Sequence, residues 1–202
     1  MTMFYRFIRG LFRLYYRLFT NWHVYGRENL PREGSVLLCS NHVHWMDPVN
    51  MACAVDRQVY FMAKAELFEV PVFSNLVGWL GAFPVKRGKP DRSALRHTFK
   101  LLEDRKVVGM FPEGTRSRTG KLGPAEPGLA LIALKSGAVI CPAAITGEYR
   151  PFRRLNFRLG RPMSFPELYG VKVTPDDLAR VSAAVMEQIA SLIQVDREEA
   201  AG

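Results

Sequence analysis

Residues 36–48 read Val36-Leu37-Leu38-Cys39-Ser40-Asn41-His42-Val43-His44-Trp45-Met46-Asp47-Pro48. An unbroken run of apolar and small residues, too short for a helix, ends abruptly in polar side chains. A run without alternation is the pattern of a strand buried on both faces, and such strands belong to parallel sheets covered by helices on each side. Runs of the same length recur at 59–63, 82–85, 107–111, 139–145 and 155–159. Helical patterns lie between them. One spans 92–104, with Ala94, Leu95, Phe99, Leu101 and Leu102 on one face, and another spans 128–136. A last helix is announced by Thr174 as N-cap, Pro175 in the first helical position, and Asp176 and Asp177 in the first turn. Its apolar stripe is Leu178, Val181, Val185, Ile189 and Leu192. Together these features predict one α/β domain over residues 23–195, with a mostly parallel or mixed central sheet flanked by helices. Residues 196–202 read as a frayed tail. No repeat, low-complexity tract or linker divides the chain.

Length and composition agree with this reading. The chain has 202 residues, 48% of them hydrophobic and 23% charged, which suits one globular domain and excludes disordered and fibrous classes. Cys39, Cys53 and Cys141 are odd in number and sit among apolar neighbours without a Cys-x-x-Cys pair. They are expected to be reduced core residues of a cytoplasm-facing protein. The charge is unbalanced, with 28 Lys and Arg against 19 Asp and Glu, a formal +9. That points to an anionic partner: nucleic acid, an anionic membrane or a phosphorylated small molecule. Residues 1–27 hold five arginines and no acid, so more than half of the excess lies at the amino end.

Residues 1–22 explain that concentration. Arg6, Arg9, Arg13 and Arg17 fall within about 80° of a helical circumference, opposite a wide face of Phe, Tyr, Leu and Ile. The pattern fits an amphipathic helix packed on its own domain or one lying in an anionic bilayer interface with its arginines at the headgroups. The acid-free mix of aromatics and arginines favours the second, and hence a peripheral, monotopic protein on the cytoplasmic membrane face. The arginines interrupt any signal-peptide core, and no stretch of 18 uncharged apolar residues predicts a membrane-crossing helix.

The chemistry-bearing residues cluster just after the predicted strands. His42 and Asp47, five apart, can fold back on each other so that the carboxylate holds one imidazole nitrogen and leaves the other as a general base. That is the orienting half of a catalytic triad, sufficient when the substrate brings its own hydroxyl. A metal site is not predicted, because no carboxylate or third imidazole completes a ligand spacing. After the strand at 107–111 comes Phe111-Pro112-Glu113-Gly114-Thr115-Arg116-Ser117, whose backbone donors, hydroxyls and guanidinium suit a phosphate monoester. Lys64 and Lys86-Arg87 also stand at or just past strand ends, so four segments can converge on one sheet edge. Neither Ser40 nor Ser117 has a Gly-x-Ser-x-Gly setting, so no covalent nucleophile is expected. Lys and Arg in loops rather than interleaved with aromatics on strands speak against nucleic acid.

Asn41-His42-x4-Asp47, Phe83-Pro-Val-Lys-Arg87, Phe111-Pro-Glu-Gly-Thr-Arg116 and Val139-Ile-Cys-Pro142 resemble the four ordered motifs of the glycerolipid acyltransferases, nearest to the bacterial 1-acyl-sn-glycerol-3-phosphate type. The resemblance spans residues 36 to about 145. It implies transfer of a fatty acyl chain from acyl-CoA or acyl-carrier protein to the 2-hydroxyl of lysophosphatidate, giving phosphatidate, with no cofactor beyond the acyl donor. A related acceptor such as glycerol 3-phosphate, a lysophospholipid or a lyso-aminolipid would be served by the same motifs. Carried over, His42 is the base and Asp47 its orienting partner. Glu113, Gly114, Thr115 and Arg116 form the glycerol-phosphate pocket with Arg87, Lys64 adds a phosphate contact, and Pro142 shapes the acyl or thioester site. The chain departs from the motif at His44, where the family commonly has Ser or Gln, which leaves two histidines as candidate bases.

Overall fold

The computed structural model describes residues 2–69, 71–86 and 91–201. Seven strands form one sheet: β1 (Asn21–Tyr25), β2 (Val36–Ser40), β3 (Val59–Lys64), β4 (Ala82–Val85), β5 (Val107–Met110), β6 (Val139–Gly147) and β7 (Arg154–Leu159). Their order across the sheet is β1-β7-β6-β2-β5-β3-β4. β2 to β6 are mutually parallel, and β6–β7 is the antiparallel junction, beyond which β1 runs parallel to β7. The expected mixed α/β sheet is present, with β1 as a strand the sequence reading did not foresee. Asn21-Trp22-His23-Val24-Tyr25 is half-exposed at the sheet edge and carries no continuous apolar run.

β2 lies at the centre, and all five of its residues are buried. Its side chains alternate between two cores. Leu37 and Cys39 face the layer of α4 (Arg92–Glu103), α5 (Gly128–Ser136) and α6 (Pro175–Ala201). Val36 and Leu38 face the layer that holds α1 (Met3–Phe19) and α2 (Asp47–Ala54). α3 (Pro71–Trp79) leads into β4. The three cysteines are buried free thiols. Burial in apolar surroundings pushes Cys53 and Cys141 each up to about 12, so both stay protonated and unreactive.

α1 exists as expected but is docked differently. Tyr5 and Tyr16 are buried against the domain. Arg9 Nη1 donates to the Val55 and Asp56 carbonyls, and Arg13 donates to the Cys53 and Val55 carbonyls and to the Asp56 carboxylate. Two of the four arginines therefore cap the carboxyl end of α2, where open carbonyls and the helix dipole favour a cation. Only Arg6 and Arg17 stay exposed. The outward face is instead the stripe Met3, Phe7, Leu11, Leu14 and Leu18, each at least half exposed.

The predicted tail also needs correcting. α6 begins with the expected cap, Thr174 Oγ1 accepting from the Asp177 N–H and Asp177 Oδ2 accepting from the Thr174 N–H, but it runs to Ala201. The reason is Asp196, only 2% exposed, which accepts from Thr146 on β6 (2.6 Å) and from Arg158 Nε on β7 (2.7 Å). α6 is long and apolar enough to meet the length and composition criteria for a membrane-crossing helix, yet Val181, Val185 and Ile189 are fully buried on the sheet. Asp196→Ala would leave Thr146 without its acceptor and Arg158 with only the more exposed Glu199 carboxylate, and the expected loss is about 2–3 kcal/mol in urea unfolding. An unchanged midpoint would restore the frayed-tail reading.

Candidate active site

The four parallel strands β2, β5, β3 and β4 lie side by side, so their carboxyl ends share one edge of the sheet. That edge receives the loops carrying His42, Glu113–Arg116 and Lys64 in spatial order. Arg87, expected fourth, lies outside the described residues.

The centre is Asp47, the first residue of α2 and 0% exposed. Its Oδ2 accepts from His42 Nδ1 (2.8 Å) and from the Val43 and His44 backbone N–H groups (2.6 and 2.7 Å). With Nδ1 donating to the carboxylate, the free nitrogen of the neutral ring is Nε2, the tautomer a general base needs. The imidazole is stacked on Phe111 at 4.0 Å between ring centres, which fixes its plane. His44 is arranged otherwise. Its Nδ1 accepts from the Met46 N–H at 3.3 Å, which assigns the proton of the neutral ring to Nε2. Burial holds its ionisation below the ordinary imidazole range, against the pull of Asp47, and the nearby positive charge of Arg116 adds to the lowering.

Glu113 has a different task from the one expected. Its Oε1 accepts from the His42 N–H (3.0 Å) and its Oε2 from the Gly123 N–H (2.9 Å). Both oxygens accept from backbone N–H groups, so Glu113 ties the β5 loop to the His42 peptide. The Ser117 N–H donates to the His42 carbonyl and completes the clamp. Ser117 Oγ donates within its own loop to the Lys121 carbonyl, and buried Ser40 Oγ donates to Asn41. Gly114, at φ +67°, supplies the left-handed turn that places exposed Thr115 and Arg116 at the edge. Arg116 has no ion-pair partner among the described residues, whereas Lys64 pairs with Glu66 at 3.0 Å.

A cavity of about 500 Å³ opens from His42. Arg116 and Lys64 line it, and its walls are mostly apolar: Phe61 on β3, Phe12 and Ile8 on the inner face of α1, and Leu80 after α3. Phe61 can lie across β5 because residue 109 is glycine, where a Cβ would come within 2.2 Å of the ring. Pro142, expected to shape the acyl site, is buried within interior strand β6 against Gly160 and is not among the lining residues. Two participants escaped the sequence reading, Tyr149 and Asn50. Tyr149 OH donates to Asp47 Oδ1 at 2.7 Å. The signal that could have found it is its place, two residues past the end of β6.

A buried carboxylate–imidazole pair lining an apolar groove with cations nearby is equipped to activate a hydroxyl on a molecule that is part acid and part hydrocarbon. The chain belongs to the acyltransferase family: the family model described as Acyltransferase matches residues 21–146. Among curated proteins it is similar to 1-acyl-sn-glycerol-3-phosphate acyltransferase of Bacillus subtilis (strain 168), 32% identical over 71% of this chain and 71% of that one. It is also similar to the protein of that name from Streptococcus pneumoniae (strain ATCC BAA-255 / R6), 32% identical over 96% of this chain and 72% of the relative. The fold is that of the Thermotoga maritima 1-acyl-sn-glycerophosphate acyltransferase PlsC crystal structure, with a TM-score of 0.71 and 24% identity over 93% of this chain and 80% of that one.

Glu113→Gln keeps the size but places an amide NH2 against one of the two backbone N–H groups. A loss of about 2 kcal/mol in urea unfolding is expected. Stability equal to the parent would free Glu113 for a ligand.

Proposed function

We propose that this enzyme transfers a fatty acyl chain from a thioester, acyl-CoA or acyl-carrier protein, to the 2-hydroxyl of lysophosphatidate, forming phosphatidate. The observation that carries the reading is the His42–Asp47 pair at the head of an apolar groove of about 500 Å³ with Arg116 beside it. The relatives' names supply the acceptor. In this reading the exposed Arg116 guanidinium holds the phosphate, with Lys64 adding positive charge, and the groove holds an acyl chain.

His42 Nε2 takes the proton of the 2-hydroxyl as its oxygen attacks the thioester carbonyl carbon. The new C–O bond forms, the C–S bond breaks, and the imidazolium returns its proton to the leaving thiolate. Asp47 supports the imidazolium between these events, so no acyl-enzyme is needed, and both candidate serines are engaged in local hydrogen bonds. A base of this kind contributes roughly 10²–10⁴ in rate. Holding the hydroxyl and carbonyl in near-attack geometry supplies much of the rest. His44 carries its proton on Nε2, which favours His42 as the base.

The acyl-transfer assay uses purified full chain with lysophosphatidate and either donor. His42→Ala is expected to lower kcat by at least a hundredfold while leaving lysophosphatidate binding in place. Transfer to glycerol 3-phosphate but not to lysophosphatidate would move the acceptor assignment. A stable acylated protein would overturn direct transfer.

The enzyme in this reading works on an anionic membrane at the cytoplasmic face. Support comes from the exposed α1 stripe and from Phe152, 80% exposed in the β6–β7 turn with its N–H bonded to the Phe19 carbonyl at the end of α1. Exposed Arg6, Arg17, Arg150 and Arg153 lie in the same two segments. Because Tyr5 and Tyr16 are core residues, deleting α1 would test folding as much as binding. Leu11→Ser, Leu18→Ser and Phe152→Ser combined change only exposed side chains, and at least a tenfold loss of binding to phosphatidylglycerol-containing vesicles is expected by co-flotation. Undiminished binding would refute this docking face.

A further inference from the structure

Asp47 has two oxygens, and the His42 ring and the two loop N–H groups all meet Oδ2. The other oxygen has a single donor in Tyr149, a residue from a turn more than a hundred positions away. The hydrogen bonds behind Tyr149 have a forced direction. The Trp22 indole N–H on β1 can only donate, and it does so to Asn50 Oδ1 at 2.9 Å. This fixes the Asn50 amide so that its NH2 group meets the Tyr149 oxygen at 3.1 Å. An NH2 group can only donate, so the phenol oxygen must accept there and aim its own hydrogen at Asp47 Oδ1. Asn50 is fully buried, so water is not available to reverse the order.

We infer that Tyr149 is a positioning residue for the acyl-transfer reaction, holding the Asp47 carboxylate in the plane that His42 requires through a donor chain that begins at Trp22. Turning about the Cβ–Cγ bond moves both oxygens together and carries Oδ2 off the line to His42 Nδ1, so a donor on Oδ1 adds its resistance to that of the three donors on Oδ2. The ring of Tyr149 is itself fixed, stacked on His44 at 4.3 Å between centres with 15° between planes. Burial pushes its hydroxyl well above the ordinary phenol range, so it stays protonated and able to donate at neutral pH. The inference rests on the acyl-transfer reading for its kinetic consequence, and on the geometry alone for its effect on His42.

Tyr149→Phe keeps the ring and its stacking and deletes only the donor. In the full chain kcat for acyl transfer is expected to fall about tenfold, with KM for lysophosphatidate unchanged because the cation contacts lie elsewhere. In the substrate-free protein, the far-downfield proton resonance of the His42 Nδ1–H···Asp47 bond is expected to broaden or vanish in Tyr149→Phe. Unchanged kcat and an unchanged resonance would overturn the proposal, as would a fall in kcat with the resonance intact. If Tyr149→Phe fails to fold, Trp22→Phe takes its place. It removes the first donor, keeps a ring against Tyr16, and should weaken the same resonance with a two- to threefold loss in kcat; parent values for both would overturn the chain. If the parent shows no acyl transfer, the functional reading has failed, and the resonance alone decides what Tyr149 does to His42.

Discussion

A carboxylate with no access to water must be surrounded by donors or it will not stay charged, and Asp47 meets that constraint from four directions. Two donors are backbone N–H groups of its own loop, one is the His42 imidazole, and one is a tyrosine from across the sheet edge. The loop 41–47 takes its shape because the Val43 and His44 N–H groups turn inward to the carboxylate. α2 starts where it does because Asp47 and Pro48 open its first turn. The His42 peptide is gripped from the far side by Glu113 and Ser117. Asn41 anchors the entrance by exchanging two hydrogen bonds with the Ile145 backbone on β6. Removing the charge on Asp47 would therefore loosen β2, α2 and the β5 loop together.

The docking of α1 follows a similar logic at a helix end. α2 is short and its last carbonyls face outward, so something must satisfy them. Arg9 and Arg13 do so. Two arginines that a sequence reading gives to lipid phosphate serve the protein, and α1 is thereby rotated so that its inner face walls the groove and its outer face is bare hydrocarbon. The same helix contributes Tyr5 and Phe12 to the cavity and Leu11 and Leu18 to the outside.

Much of the centre was legible in the sequence because it is local. His42 and Asp47 are five residues apart, the strands are continuous apolar runs, and parallel strands place their carboxyl ends together. The residues that were not legible act over long separations. Asp196 looks like a solvated tail residue until Arg158 and Thr146 are placed beside it. Tyr149 looks like a turn residue until β6 carries it next to β2. Glu113 is given to a ligand only by the family resemblance, and the positions of two backbone N–H groups show what its oxygens meet. Helical periodicity found the arginine stripe of α1 but could not say which side faces the protein, because both sides have something to gain by burial.

β1 has one neighbour in the sheet, and that neighbour is β7, with Asn21 opposite Arg154. On a ribosome adding about 5–20 residues each second, β1 is finished on the order of ten seconds before its partner exists. α1 can settle on α2 much earlier, since its arginines need only residues 53–56. The amino end thus has a temporary anchorage during synthesis and a permanent one only after β7 is made. For those seconds an exposed hydrocarbon helix precedes an unpaired strand edge, and both are open to any apolar or strand surface they meet.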